Sequence, residues 1–358
     1  MSARLPLHLA TDPAREPGSG LGTPSVSRQT SALVDSFGRH HNNLRVSVTD
    51  RCNLRCTYCM PEDVVFRDRS ELLTFEEITH FVRVAASLGV DKVRLTGGEP
   101  LVRKDLHKLA RMLVAIPGIR DVGLTTNGIL LADQAAELFA AGLRRLNVSL
   151  DTLDEGRFHE LTRRDGLARV LAGLAAAKSA GFGPIKVNAV AIRGFAEVDA
   201  VPLARFCRDQ GFELRFIEYM PIGADPWERE RVFPAEELLD LLGREVAPLT
   251  LAPDHDPRAP ALEYVYDDRR GQVGVIASVT RPFCHTCNRL RLTADGKIRN
   301  CLFALDETDI KPLLRTAHPN TAAIAATIRR TVWAKWEGHE INSARFVKPD
   351  RTMHAIGG

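Results

Sequence analysis

Three cysteines fall within eight residues, Cys52, Cys56 and Cys59, in the stretch DRCNLRCTYCMP (50–61). Three more, Cys284, Cys287 and Cys301, stand in RPFCHTCNRLRLTADGKIRNCLF (281–303), and the seventh, Cys207, is alone in LARFCRDQG. An odd count grouped in this way argues against a disulfide framework. The first spacing, C-x3-C-x2-C, lacks the paired CxxC of most zinc sites and has no fourth Cys or His close by. Iron–sulfur clusters are held by thiolates, and three thiolates on a four-iron cubane leave one iron free to bind a ligand. The second spacing, C-x2-C-x13-C, poses a choice between zinc with His285 as fourth ligand and a second three-thiolate cluster. His285 sits between two of the cysteines, a poor position for reaching the same ion, so the cluster is the preferred reading. Cys207 lies on an expected helix and reads as a small buried apolar residue.

These residues must be positioned by something. From Leu44 the chain alternates short apolar runs with amphipathic ones. Strands are expected at LRVSVT, KVRLTGG, DVGLTTNG, RRLNVSLD, IKVNAVAI and FELRFIEYMP, and helices between them. One of these helices runs from Thr74, a possible N-cap, to a stop at Gly89. Six strand–helix units predict parallel strands joined by right-handed crossovers. They are too few for a complete eightfold barrel. The expected fold is α/β, an incomplete (β/α)6 TIM-like barrel over 37–222, with a doubly wound sheet as the other possibility. A C-terminal region over 223–358 carries the second triplet, a strand at GQVGVIASVT and a helix at TAAIAATIRRTVWAKWEG. Residues 1–36, rich in Pro, Gly, Ser and Thr, read as a disordered extension. The first triplet, Gly97-Gly98-Glu99-Pro100, Thr125-Thr126-Asn127-Gly128, Ser149 to Asp151 and Met220-Pro221 all follow strand C-terminal ends, the edge that holds ligands in parallel α/β folds.

The chain has 358 residues, with 44% apolar and 26% charged residues and a net charge of 48 − 45 = +3. This excludes a generally basic nucleic-acid binder, and no apolar run is long enough to span a membrane. A cytoplasmic location is expected. Several cations lie on or beside the expected strands: Arg45, Lys92, Arg94, Lys186, Arg215, Arg289 and Arg291. A Lys or Arg inside a barrel strand is costly to bury unless paired. The group therefore suggests an anionic ligand inside, and ion pairs with barrel acids such as Glu218 are the competing account. No G-x4-G-K-[ST] loop is present.

C-x3-C-x2-C with Tyr58 before the last cysteine is identified as the signature of the radical S-adenosylmethionine enzymes. Together with the second triplet, NRLRLTADGK (288–297) and the terminal Gly357-Gly358, the chain from about Phe37 onward resembles the GTP 3′,8-cyclases of molybdenum cofactor biosynthesis. The resemblance implies two [4Fe-4S] clusters, on Cys52, Cys56 and Cys59 and on Cys284, Cys287 and Cys301. It implies S-adenosylmethionine bound near Tyr58, Gly98, Glu99, Ser149 and Met220, although Met220 alone would read as core. It also implies GTP held by Arg45, Arg94, Thr125, Lys186, Arg289 and Arg291, more loosely by Lys92 and Arg215, with Arg289 and Arg291 counted among the catalytic residues. The reaction implied is hydrogen abstraction from the ribose C3′ of GTP and attack of C3′ on guanine C8. A cellular reductant supplies electrons, and a separate cyclic pyranopterin monophosphate synthase uses the product. The glycine tail would enter the site near the second cluster, and a homodimer is compatible with the resemblance. Two rivals stand: a radical S-adenosylmethionine maturase of a peptide or small molecule, and a redox sensor or nucleic-acid module without catalysis.

Overall fold

The structure, a computed structural model, describes residues 32–223, 226–256 and 259–358. The expected disordered extension therefore lies outside the described residues up to residue 31. Its last residues are packed: Leu33 and Asp35 are buried, and Val34 pairs with His40. Residues 32–35, expected as part of that extension, are thus packed, because Asp35 has buried partners in Arg39 and His41.

Six strands follow the expected rhythm: β1 (Asn43–Ser47), β2 (Lys92–Thr96), β3 (Asp121–Thr126), β4 (Arg145–Ser149), β5 (Ile185–Ala191) and β6 (Glu213–Glu218). They pair in parallel in chain order. Between them run α1 (Phe75–Ser87), α2 (Leu106–Val114), α3 (Leu131–Ala140), α4 (Glu155–Thr162), α5 (Leu167–Ala180) and α6 (Ala196–Gln210). Local chemistry sets the ends. Thr74 caps α1 in a capping box with Glu77, each side chain accepting from the other's backbone N–H at 3.2 and 2.7 Å. Gly181 and Gly211, both at positive φ, close α5 and α6.

Along each strand one parity is apolar and faces the helices, as with Leu44, Val46, Leu95, Leu124, Val148, Val187 and Phe216, which belong to one continuous core. The other parity faces inward and is largely polar. Side-chain period alone thus turns Arg45, Arg94, Asn147, Ser149, Lys186, Asn188 and Arg215 to the same side.

The C-terminal region adds α7 (Ala235–Glu245), β7 (Leu249–Leu251), β8 (Leu262–Tyr266), β9 (Gln272–Ile276), β10 (Arg289–Leu292), β11 (Lys297–Arg299), β12 (Thr308–Asp309), α8 (Lys311–Leu314), α9 (Thr321–Trp333) and α10 (Met353–Ile356). It extends the barrel sheet at both edges. β9 joins β6 in parallel and β10 joins β1 in parallel, within a twelve-stranded order β12-β11-β10-β1-β2-β3-β4-β5-β6-β9-β8-β7. Among the described residues, no helix is long and apolar enough to cross a membrane.

Candidate active site

All six clustered cysteines line one cavity of about 570 Å³, within the usual size range of small-molecule sites. Also on its wall are Tyr58, Gly98, Glu99, Ser149, Met220, Thr125, Arg45, Lys92, Arg94, Lys186, Arg215, Arg289 and Arg291. The structure therefore gathers every candidate residue into a single space.

The first triplet sits on the loop after β1. The loop is held to the end of α4 by Arg55 N–H and Thr57 N–H, which donate to the carbonyls of Thr162 and Leu161 at 2.9 Å each. Glycines from two sides let other backbone approach it. A Cβ on Gly98 would stand 2.6 Å from the carbonyl oxygens of Asp50 and Arg51. A Cβ on Gly223 would meet the Tyr58 carbonyl at 2.0 Å. Gly98→Ala should thus wedge the cluster loop away from β2, costing about 1–3 kcal/mol as overpacking does. The expected result is a Tm several degrees lower with loss of iron from the first triplet; an unchanged Tm and iron content would refute the close packing.

Glu99 is buried and links β2 to β3. Its carboxylate accepts from Leu101 N–H at 2.9 Å, Thr126 Oγ1 at 2.7 Å and Asn127 N–H at 2.6 Å. Burial raises its pKa to about 7, against the lowering effect of these donors. A carboxylate has about four acceptor sites, so three protein donors leave one for a ligand ammonium. Tyr58 donates to Asp151 Oδ2 at 2.6 Å, while Asp151 Oδ1 accepts from Val190 N–H at 2.8 Å. Asp151, expected only as part of the strand-end stretch from Ser149, thereby anchors the ring beside the first triplet.

The cations divide into two sets. Lys186 pairs with Glu213, and Arg215 pairs with Glu263 at 2.6 Å. The barrel acid expected to compete, Glu218, is occupied by the N–H groups of Ala235, Val279 and Thr280. The second set is Arg45, Arg94, Arg289 and Arg291, none of which pairs with a carboxylate among the described residues, although Arg289 lies against Cys287. Register explains their crowding: Arg291 of β10 and Arg94 of β2 both stand opposite Arg45 of β1. Like charges in direct register repel. Burial first, then Arg291, Arg289 and Arg94, drive the Arg45 pKa well down. Burial and Arg289 lower that of Arg291 to about 9. A guanidinium keeps its proton in a protein, so the unfavourable energy persists until an anion enters. Gly123 makes room for one of them, since a Cβ there would lie 3.0 Å from Arg94 Nη1.

The second triplet lies on the loop between β9 and β10 and after β11. His285, the alternative zinc ligand, is exposed. Among the described residues, no three His, Cys, Asp or Glu side chains close on one point as a lone ion requires. A cubane instead spreads its thiolates over separate irons, and the six free, half-buried thiols fit that need. Cys287 is also poised as a thiolate: burial would raise its pKa, but Arg289 and Lys335 outweigh this and bring it to about 5. Cys207 is buried in α6, as expected.

The terminal glycines enter the cavity. Arg291 Nη1 donates to the Gly357 carbonyl at 2.6 Å. A Cβ on Gly357 would stand 2.7 Å from Thr96 Oγ1 and 2.8 Å from Ser47 Cβ. The tail therefore rests on the ends of β1 and β2 as well as on Arg291. Sequence reading overlooked Asn147, Asn188 and Arg145, which also line the cavity. Strand parity would have found them, since each shares a face with a residue already singled out. Lys335 and Arg39 had no such local signal.

Comparison with known proteins bears on this arrangement. The radical SAM superfamily profile matches residues 46–207, and a molybdenum cofactor synthesis C profile matches residues 212–341. A GTP 3′,8-cyclase of Rhodopirellula baltica is 49% identical over 342 residues, covering 94% of this chain and 95% of that one. GTP 3′,8-cyclase 2 of Mycobacterium tuberculosis is 47% identical over 349 residues, covering 95% and 96%. In fold alone, the chain is similar to Streptococcus suis SuiB bound to S-adenosylmethionine, with a TM-score of 0.55 and 17% identity. That match covers 77% of this chain and 64% of SuiB. With two profiles over its barrel and C-terminal region and near-full-length likeness to these relatives, the chain belongs to the GTP 3′,8-cyclase family of the radical S-adenosylmethionine superfamily.

Proposed function

We propose that this chain joins C3′ of GTP to C8 of its guanine, giving 3′,8-cyclo-7,8-dihydroguanosine triphosphate, the first step of molybdenum cofactor biosynthesis. The observation that supports this most is one cavity lined by two cysteine triplets and by four guanidinium groups without acid partners. Cys52, Cys56 and Cys59 hold one [4Fe-4S] cluster. Cys284, Cys287 and Cys301 would hold a second, and three thiolates on four irons would leave one iron able to take a ligand such as the guanine base. When bound, the first cluster and S-adenosylmethionine supply a 5′-deoxyadenosyl radical able to take a hydrogen atom from the ribose.

The chain's own residues do the rest. Arg45, Arg94, Arg289 and Arg291 meet the triphosphate, whose roughly four negative charges complement guanidinium groups without carboxylate partners. Arg offers two parallel donors to each phosphate, fixing orientation as well as charge. Lys186 and Arg215, tied to Glu213 and Glu263, and Lys92 and Thr125 flank the same wall. Gly98 and Glu99 receive the methionine amino group, with Tyr58, Ser149 and Met220 around the remainder. Holding both reactants in a walled cavity keeps the radical from water.

The product passes to a cyclic pyranopterin monophosphate synthase, and a cellular reductant supplies electrons. A cytoplasmic location accords with seven cysteines that are all free, and a homodimer is open to direct measurement. The test is anaerobic reconstitution, reduction, and addition of S-adenosylmethionine with GTP deuterated at C3′. Deuterium should appear in 5′-deoxyadenosine together with a cyclised nucleotide. Cleavage without deuterium transfer would favour a maturase acting on another substrate.

A further inference from the structure

Lys335 is only 4% exposed, yet it carries an ammonium group. It follows the last turn of α9, and its Nζ donates to Cys287 Sγ at 3.4 Å and to the Arg289 carbonyl at 3.0 Å. It forms no ion pair with a carboxylate among the described residues. The charged groups around it are Cys287, Cys301 and Arg289, with His41 behind. A buried ammonium facing a guanidinium and no acid is strongly unfavourable unless an anion stands beside it. Here the Cys287 sulfur, anionic once it ligates iron, is that anion.

Its position is enforced by a clamp on the cavity wall. Arg39 Nη1 donates to the carbonyls of Cys284 and Glu337, each at 2.8 Å, and Nη2 donates to the carbonyl of Trp336 at 2.6 Å. Arg39 is itself held by Asp35 at 2.6 Å, which also meets His41 Nε2 at 2.9 Å. This buried clamp ties the segment after Lys335 to the loop that carries Cys284. At the first triplet the nearby cation, Arg55, donates to the Cys52 carbonyl at 2.8 Å and not to a sulfur. Cys52 Sγ receives Leu54 N–H at 3.4 Å and Asn127 Nδ2 at 3.8 Å, both neutral donors.

We propose that Lys335 is the fixed counter-charge of the second cluster, a positioning residue whose ammonium donates to Cys287 Sγ and raises that cluster's reduction potential. Donors and positive charge beside a ligating sulfur stabilise the reduced, more negative cluster. The two clusters are thereby set apart, the first among neutral donors and the second beside a fixed cation. This rests on the reading that Cys284, Cys287 and Cys301 hold a [4Fe-4S] cluster.

The test uses the full-length chain with Cys52→Ala, Cys56→Ala and Cys59→Ala, so that only the second triplet can load. Iron and sulfide are assayed, and the midpoint potential is read by EPR-monitored redox titration. Lys335→Met, Lys335→Gln and Lys335→Arg are then added to the same background. The parent should carry about four irons; a parent with none refutes the cluster reading itself. Met and Gln should shift the midpoint to more negative potential, and Arg should restore it. Equal midpoints in parent, Met and Gln at full iron content overturn the proposal. If Met and Gln fold but lose iron while Arg keeps it, charge alone separates them and the proposal stands. Loss from all three overturns it.

Discussion

Arg45→Met should weaken GTP binding by roughly 30-fold or more, since losing one partner of an enclosed charge pair costs about 2 kcal/mol or more. The same change should make the ligand-free protein more stable, by on the order of 1 kcal/mol, because Met keeps most of the volume and removes a buried cation that faces chiefly the guanidinium groups of Arg291, Arg289 and Arg94. The reason is geometric. Arg45 stands in register with Arg291 on one side and Arg94 on the other, and no ion pair offsets it among the described residues. Calorimetric titration with GTP and thermal unfolding without it read the two effects separately. Raised stability with lost binding would identify the guanidinium layer as an anion site held ready at the expense of the empty fold. A variant that is both destabilised and unimpaired in binding would show that Arg45 serves packing instead. In the wild type, GTP at a hundred times its Kd should add about 2.7 kcal/mol.

Removing the second triplet should separate two activities. With Cys284, Cys287 and Cys301 all replaced by Ala, iron should fall from about eight to about four atoms per chain. Cyclised nucleotide should vanish, while slow uncoupled release of 5′-deoxyadenosine persists. Cys52→Ala should abolish both. The expectation follows from position: the two triplets line the same cavity, but the first follows the C-terminal end of β1, whereas the second gathers at the N-terminal end of β10, the parallel neighbour of β1. Chromatographic assay of both products under anaerobic reduction decides it. Full cyclisation by the triple variant at four irons would end the role assigned to the second triplet.

Much of this was legible in the chain itself because it is local. The spacing of Cys52, Cys56 and Cys59 is a property of one loop, and no distant contact is needed to read it. Two-residue periodicity separated Leu44 and Val46 from Arg45, and Val93 and Leu95 from Arg94, so the inward cations were visible before any fold was known. Glycine stops, the Thr74 N-cap and the apolar faces marked the strand–helix units. Helix α7 was overlooked, although AEELLDLLGRE is amphipathic, because it falls where the regular alternation ends.

Only the tertiary structure decided what those residues face. That β10 adds to β1 brings Arg289 opposite Asn43 and Arg291 opposite Arg45. This pairing joins positions 291 − 45 = 246 residues apart, and the register of such a pair depends on the packing of everything between them. The same non-local closure places the second triplet on the first triplet's cavity, seats Gly357 against Ser47 and Thr96, and turns Lys335 onto Cys287. Composition and periodicity carry no information about sheet-edge partners, because an edge strand's hydrogen bonds are backbone groups that every residue offers alike.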